Sequence, residues 1–232
     1  MTKKVKVWDL PLRLFHWLLL LAVASAWFTI EVLEDMQLHF YSGYAVLTLL
    51  VFRLLWGLLG TSYSRFSSFP ISPANILSYT KALFGKGEGH FYFGHNPLGS
   101  LSVIALLGVL LFQVSSGLFS SDDYFYGPLA GWIESGQIKW LTGLHQQNFE
   151  WIKILVALHV LAIIFYRLVK KERLTQAMIT GYKSISANDA LRSIDSDRLK
   201  LAVILVFLSA LICYAIVNWL AQPVPITDSY LY

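Results

Sequence analysis

The sequence predicts an all-α protein: a transmembrane helix bundle in which four helices form one unit and a fifth follows. Three observations carry this. Hydrophobic residues are 56% of the 232 and charged residues 14%, a balance outside that of soluble domains. Five apolar stretches reach the ~20 residues that cross a bilayer. Lys and Arg gather on alternate connections, as the positive-inside rule requires.

The spans fall near residues 11–30, 38–60, 98–119, 149–169 and 199–221. The first follows a basic MTKKVK and could pass for a cleaved leader, but its apolar run continues through Trp27 and Phe28, and Arg13 and His16 interrupt it. It reads as a retained span. The connection 61–97 is long for a bundle and contains Pro70, Pro73 and GKGEGHFYFGHNP, which loosens the second and third spans at that end. The aromatic stretch 120–143 is expected to lie along the membrane surface. Residues 170–200 are polar and mixed in charge, and read as a linker. The expected units are therefore 1–183, a linker 184–198, and 199–232 with the fifth span and a tail.

Charge sets the orientation. Lys3, Lys4, Lys6, Arg13, Arg65, Lys81 and Lys86 share one side with Lys170, Lys171, Arg173, Lys183, Arg192, Arg198 and Lys200. The other side holds Lys139 and Lys153 but is dominated by Glu31, Glu34, Asp35, Asp122, Asp123 and Glu134. A cytoplasmic N-terminus and an outward C-terminus follow. The net charge of +4 is a consequence of this topology and gives no reason to expect nucleic acid. The single cysteine, Cys213, excludes an intramolecular disulfide and argues against a cysteine-ligated cluster or zinc, and without CxxCH any haem is not held in the c-type way.

The chemistry lies in the histidines. LHQQNFEWIKILVALHV places His145 and His159 fourteen residues apart in the fourth span. An ionisable group within a membrane marks a functional site by default. A single histidine there reads more simply as a neutral hydrogen-bonding residue, but the spacing changes this. Fourteen residues turn about 1400°, some 40° short of four turns, and rise ~21 Å. Left-handed bundle coiling removes most of the 40°. His145 and His159 therefore share one stripe at two depths. His39 opens the second span level with His145, and His16 lies in the first span level with His159. An outer pair and an inner pair result, the arrangement two haems need when facing helices each supply an axial imidazole. Zinc requires four ligands at one point, and a proton relay calls for intramembrane carboxylates; neither fits.

Haem propionates need cations. Arg13 lies three residues before His16 on the same face. Arg53, fourteen after His39, falls near the inner level. Both are candidate propionate partners, against a reading as arginines snorkelling to the interface. Gly43, Gly108 and Gly117 are places where a porphyrin could approach backbone, or helices could pack closely.

The motifs VWDLPLRLFHW, LHFYSGY, FRLLWGLLGTSYSRFSSF, GHNPLGSLSV, LHQQNFEWIKILVALHV and LTQAMITGYK, in this order from Val5 to Lys183, resemble the bacterial cytochrome b561 family, which includes the membrane cytochrome b subunits of nickel-iron hydrogenases. The resemblance implies two haem b groups, with His16 and His159 as inner ligands and His39 and His145 as outer ones, and electron exchange with quinone and a periplasmic partner. Relatives often carry glutamate after the residue matching His145; Gln146 stands here. The fifth span lies outside the resemblance.

The expected function is electron transfer across the bacterial inner membrane, between quinone or quinol and a periplasmic electron-transfer protein. A quinone pocket combines an apolar cleft with a few polar groups, and the inner end offers Arg13, Trp17, Arg53, His95 and Asn96. His95 is the candidate for proton exchange; tethering of a helix end is its plainer role. His90 reads as interface. The acidic outer loops favour a basic, cytochrome c-like partner and disfavour superoxide oxidation, whose anionic substrate they repel. A hydrogenase anchor ranks beside superoxide oxidation, and a haem-free transporter or anchor is remote.

Overall fold

Aspartates open the first two long helices. Asp9 accepts the Leu12 N–H at 2.7 Å and starts α1 (Leu10–Glu31), with Pro11 in the first turn. Asp35 accepts the Leu38 N–H at 2.9 Å and starts α2 (Met36–Leu59). Each side chain satisfies a backbone donor that the helix itself leaves unpaired. The computed structural model describes residues 2–85, 92, 94–186 and 193–222. His90 lies outside the described residues.

The chain continues through a short 3-10 turn, Phe66–Ser68, into α3 (Pro73–Leu83), capped by Ser72. Asn96 caps α4 (Pro97–Gly117), its Oδ1 accepting the Gly99 N–H at 2.7 Å. Glu134 and Gln137 form a reciprocal capping box at the start of α5 (Ser135–Leu168), which satisfies two donors at once. α6 (Leu174–Thr180) ends at Gly181, whose φ of 88° closes it in the left-handed region that glycine enters without strain. α7 (Leu199–Tyr214) finishes in a π-helical turn, Ala215–Trp219.

Five helices, α1, α2, α4, α5 and α7, are long and apolar enough to cross a membrane, so the expected bundle stands. The start of α5 differs from expectation. It lies at Ser135 rather than near 149, and 34 residues make a rod of about 51 Å, well beyond the ~30 Å hydrocarbon core. The expected surface stretch 120–143 therefore ends in the first turns of a helix that projects past the membrane. α1 packs on α2, α2 on α4 and α7, and α4 on α5, while α5 stands off from α1 and α2. Leu21, Leu58, Leu161 and Phe207 are among the large apolar side chains left on the outside, the surface a lipid solvent accepts. Ala202, Leu205, Ser209 and Cys213 are the buried stripe of α7, and the Cys213 thiol reaches the Tyr44 carbonyl at 3.5 Å.

One end of the bundle carries a small antiparallel sheet, an addition to the all-helical expectation. β1 (Thr2–Lys6) pairs with β2 (Tyr182–Ser186), Lys6 opposite Tyr182 and Thr2 opposite Ser186. The segment 170–200 that reads as a linker thus holds α6 and β2, and β2 crosses residue 183. The far part of that segment is tied down as well. Asp197 takes the Lys6 ammonium at 2.6 Å and the Leu10 N–H at 3.0 Å, and Lys6 O accepts the Ile194 N–H. Arg198 donates to the Leu59 carbonyl at the end of α2. This strand end and the opposite end, where a cavity opens, frame the site.

Candidate functional site

The four predicted histidines meet in two pairs inside the bundle. His16 of α1 faces His159 of α5 with ring centroids 6.5 Å apart, near the strand end. His39 of α2 faces His145 of α5 at 6.2 Å, at the other end. A metal–imidazole bond is about 2 Å, so a metal ion held by two facing imidazoles would put their centroids about 6 Å apart. The separations therefore suit one iron between each pair, and the standing-off of α5 from α1 and α2 is the gap a flat macrocycle needs. Among the described residues no three His, Cys, Asp or Glu side chains gather as a metal cage.

Hydrogen bonds orient the outer rings. His39 Nδ1 lies 2.8 Å from the Ala26 carbonyl and His145 Nδ1 lies 2.9 Å from the Gln113 carbonyl. Carbonyls only accept, so Nδ1 donates in both rings and each Nε2 presents its lone pair. Metal-ligating histidines are held in this way. A cavity of ≈ 490 Å³ opens beside them, lined in part by Trp27, Gly43, Phe125, Gln146 and Phe149. Gly117 of α4 lies against the His145 ring, where a Cβ would come within 2.9 Å of Cε1. Gly43 and Gly108 have open space at that position.

Gln113 and Asn148 belong to this site and are missed by a histidine count. Gln113 Nε2 donates to His145 Nε2 at 3.1 Å, and its Oε1 accepts from Asn148 Nδ2 at 2.7 Å. Asn148 also reaches the Val109 carbonyl. The signal for both is an amide in an otherwise apolar span, Asn148 being three residues after His145 on the same face.

At the strand end several buried nitrogens have no hydrogen-bond partner: His16 Nδ1, Arg13 Nε, Arg53 Nη1 and His95 Nδ1. Arg53 is 2% exposed and lies 4.5 Å over the Phe66 ring. Arg13 Nη1 donates to the Ile179 carbonyl. Trp17 stands edge-on to His16 at 5.0 Å. His95 lies between Trp8, tilted to it at 4.6 Å, and Phe69, edge-on at 5.0 Å. Burial, then the Arg53 and Lys183 cations and His159, push its pKa down to about 3, so the ring is neutral at physiological pH. Asn96 is committed elsewhere. Beyond capping α4, it donates to the Tyr166 hydroxyl at 3.0 Å, and that hydroxyl meets Tyr79 at 2.6 Å.

The residues fit a b-type haem at each pair, and the comparisons decide the family. A family model described as prokaryotic cytochrome b561 matches residues 7–181. The chain belongs to the prokaryotic cytochrome b561 family. It is a multi-pass membrane cytochrome of the b type, a haem-containing electron-transport protein. It is also similar to proteins named probable Ni/Fe-hydrogenase B-type cytochrome subunit. That of Azotobacter vinelandii is 22% identical over 213 residues, covering 77% of this chain and 88% of the relative. That of Rhodobacter capsulatus is 22% identical over 216 residues, covering 78% and 81%. No solved structure matches this cytochrome.

Proposed function

We propose that this cytochrome carries two haem b groups and passes electrons between the membrane quinone pool and a basic, cytochrome c-like protein at the periplasmic face. The observation that carries the reading is the pair of facing imidazoles at each of two depths, 6.5 and 6.2 Å between centroids. His16 and His159 would hold the inner haem, His39 and His145 the outer one. Bound haem supplies a one-electron ferric/ferrous couple.

The chain's own residues do the rest. Ala26 O and Gln113 O hold the outer imidazoles by Nδ1; His39 Nε2 is left free, and His145 Nε2 accepts from the Gln113 amide, a bond that iron would replace. α5 spaces the two ligand sets by ~21 Å along one rigid rod. Arg13 and Arg53 offer unpartnered N–H groups to inner propionates. Trp17, His95 and the arginines supply the polar part of a quinone site at the strand end; Asn96 contributes by holding the start of α4. His95, neutral and with Nδ1 unpartnered, is a hydrogen-bonding group toward a quinone rather than a ready proton source.

The positive-inside bias puts the strand end in the cytoplasm of a bacterial inner membrane and the cavity end in the periplasm. The acidic cavity-end loops, with Asp122 and Asp123, favour a basic partner. A second reading, the membrane subunit of a hydrogenase-type complex, is favoured by the names of the relatives. Co-purification from native membranes separates the two: a large partner subunit retained in stoichiometric amount supports the second.

The test is haem counting by pyridine haemochrome. Wild type should bind two haems per chain, and His16→Ala and His39→Ala one each. Two haems retained in both variants sinks the pairing. Reduction by a short-chain quinol should proceed. A protein reducible by dithionite but by no quinol has no quinone site.

A further inference from the structure

The strand end buries more positive charge than it neutralises. Arg53 is sealed inside the protein, and Arg13 and Lys183 are half-buried nearby. Among the described residues the ion pairs are Lys6–Asp197 and Glu150–Lys153, so none of these three cations is in one. Asp9 is the buried carboxylate of the region; its charge acts on Arg53 without a direct ion pair, and neutral donors occupy its oxygens. Its Oδ1 accepts from Leu12 N–H, and its Oδ2 from Trp56 Nε1–H at 3.3 Å and the Thr61 hydroxyl. Glu172 and Asp197 act on Lys183 and Arg13 only at a distance. A buried cation without an anion in contact is costly, and two of the three, Arg13 and Arg53, also keep a buried N–H without a partner.

Lys183 is the member no helical pattern picks out. It sits on β2, opposite Val5 of β1. Its Nζ lies 5.7 Å over the Trp8 ring and donates to the Gly94 carbonyl at 3.2 Å. Trp8 in turn packs against His95, so β2 delivers an ammonium into the aromatic cluster that reaches Arg53 through Phe69 and Phe66. Burial pushes the Lys183 pKa down, with Glu172 opposing; a bound anion would reverse that. Gly181, two residues earlier, lets Arg13 lie close to the backbone: a Cβ there would meet Arg13 Nε at 3.3 Å.

We propose that Arg13, Arg53 and Lys183 form one dicarboxylate site at the strand end, with Lys183 as its third cation, and that the carboxylates it takes are the two propionates of the inner haem. This rests on the assignment of that haem to His16 and His159. The sheet then has a role in the site: pairing with β1 is what holds the Lys183 stem in place.

Lys183 acts on the haem through charge, so the readout is a midpoint potential. Potentiometric titration of the two-haem protein in nanodiscs compares wild type, Lys183→Met, Lys183→Gln and Lys183→Arg. Both haems should remain in every variant. Removing a cation beside an iron favours its ferric state, so one midpoint should fall in the Met and Gln variants and return in the Arg variant, the other staying fixed. Two unmoved midpoints in Lys183→Met and Lys183→Gln overturn the proposal and leave Lys183 as a tether to Gly94. The His16→Ala background separates this from the ligand assignment. If His16→Ala loses one haem and Lys183→Met then still shifts the haem that remains, the cation acts on the outer haem and the proposal fails. If His16→Ala keeps both haems, the ligand assignment fails, and the proposal with it.

Discussion

Gly117→Ala tests the outer site with a single methyl group. The added Cβ would lie 2.9 Å from His145 Cε1 and 3.2 Å from Nδ1, where ordinary contact begins at 3.4 Å. The ring must retreat by about half an ångström in a packed interior. It cannot do so freely, because Nδ1 is held by the Gln113 carbonyl at 2.9 Å. Overpacking of this kind costs about 1–3 kcal/mol, which at ~1.4 kcal/mol per decade is a loss of about 5- to 140-fold in affinity. The proposed outer haem should bear that loss and the inner haem should not. Haem titration of the apoprotein, followed by absorbance, measures both. Gly136→Ala, at the start of α5 with open space at its Cβ position, is the control and should bind like wild type. Indistinguishable titrations for the two variants would refute the idea that His145 is an outer ligand held against α4.

Two further outcomes follow from the same geometry. Asn148→Leu removes the donor to Gln113 Oε1 and to Val109 O, and should destabilise the folded protein by about 1–3 kcal/mol while shifting one haem midpoint; thermal melts and redox titration read the two effects separately. His95 has a folded pKa of about 3 against an unfolded ~6.5. Between these values the unfolded chain binds the extra proton, so stability is full above the unfolded value and falls as pH is lowered toward 3. His95→Gln should therefore flatten the dependence of melting temperature on pH between 6.5 and 4, and an unchanged slope would show that His95 is not buried neutral.

The five spans and the histidine pairs were legible because both rest on local rules. Twenty apolar residues read as a span wherever they occur, and fourteen residues of helix carry their own geometry. The strand pair was not read, although KVKVW alternates with period two and buries Val5 and Val7. Its partner lies at the far side of six helices, and five residues of alternation carry little weight alone. α5 was placed too late because Lys139, His145 and Gln146 make its first turns polar, which a hydropathy window reads as loop. The helix continues because Glu134 and Gln137 cap it at 134. Gln113 and Asn148 were passed over for a different reason. An amide in lipid has no meaning until its partner is known, and each partner sits on another helix: Gln113 meets His145 of α5, and Asn148 meets Gln113 of α4.

The pairing of β1 with β2 also bears on the order in which the protein is made. The first strand leaves the ribosome before any helix, and its partner only after α6. Until then α1 rests in the bilayer with its leading segment unanchored, and Lys183 does not yet exist to meet it. All four histidines are complete before β2 appears, so the part of the inner site that waits for the sheet is the Lys183 ammonium. An affinity tag fused ahead of Thr2 would disturb this late step first.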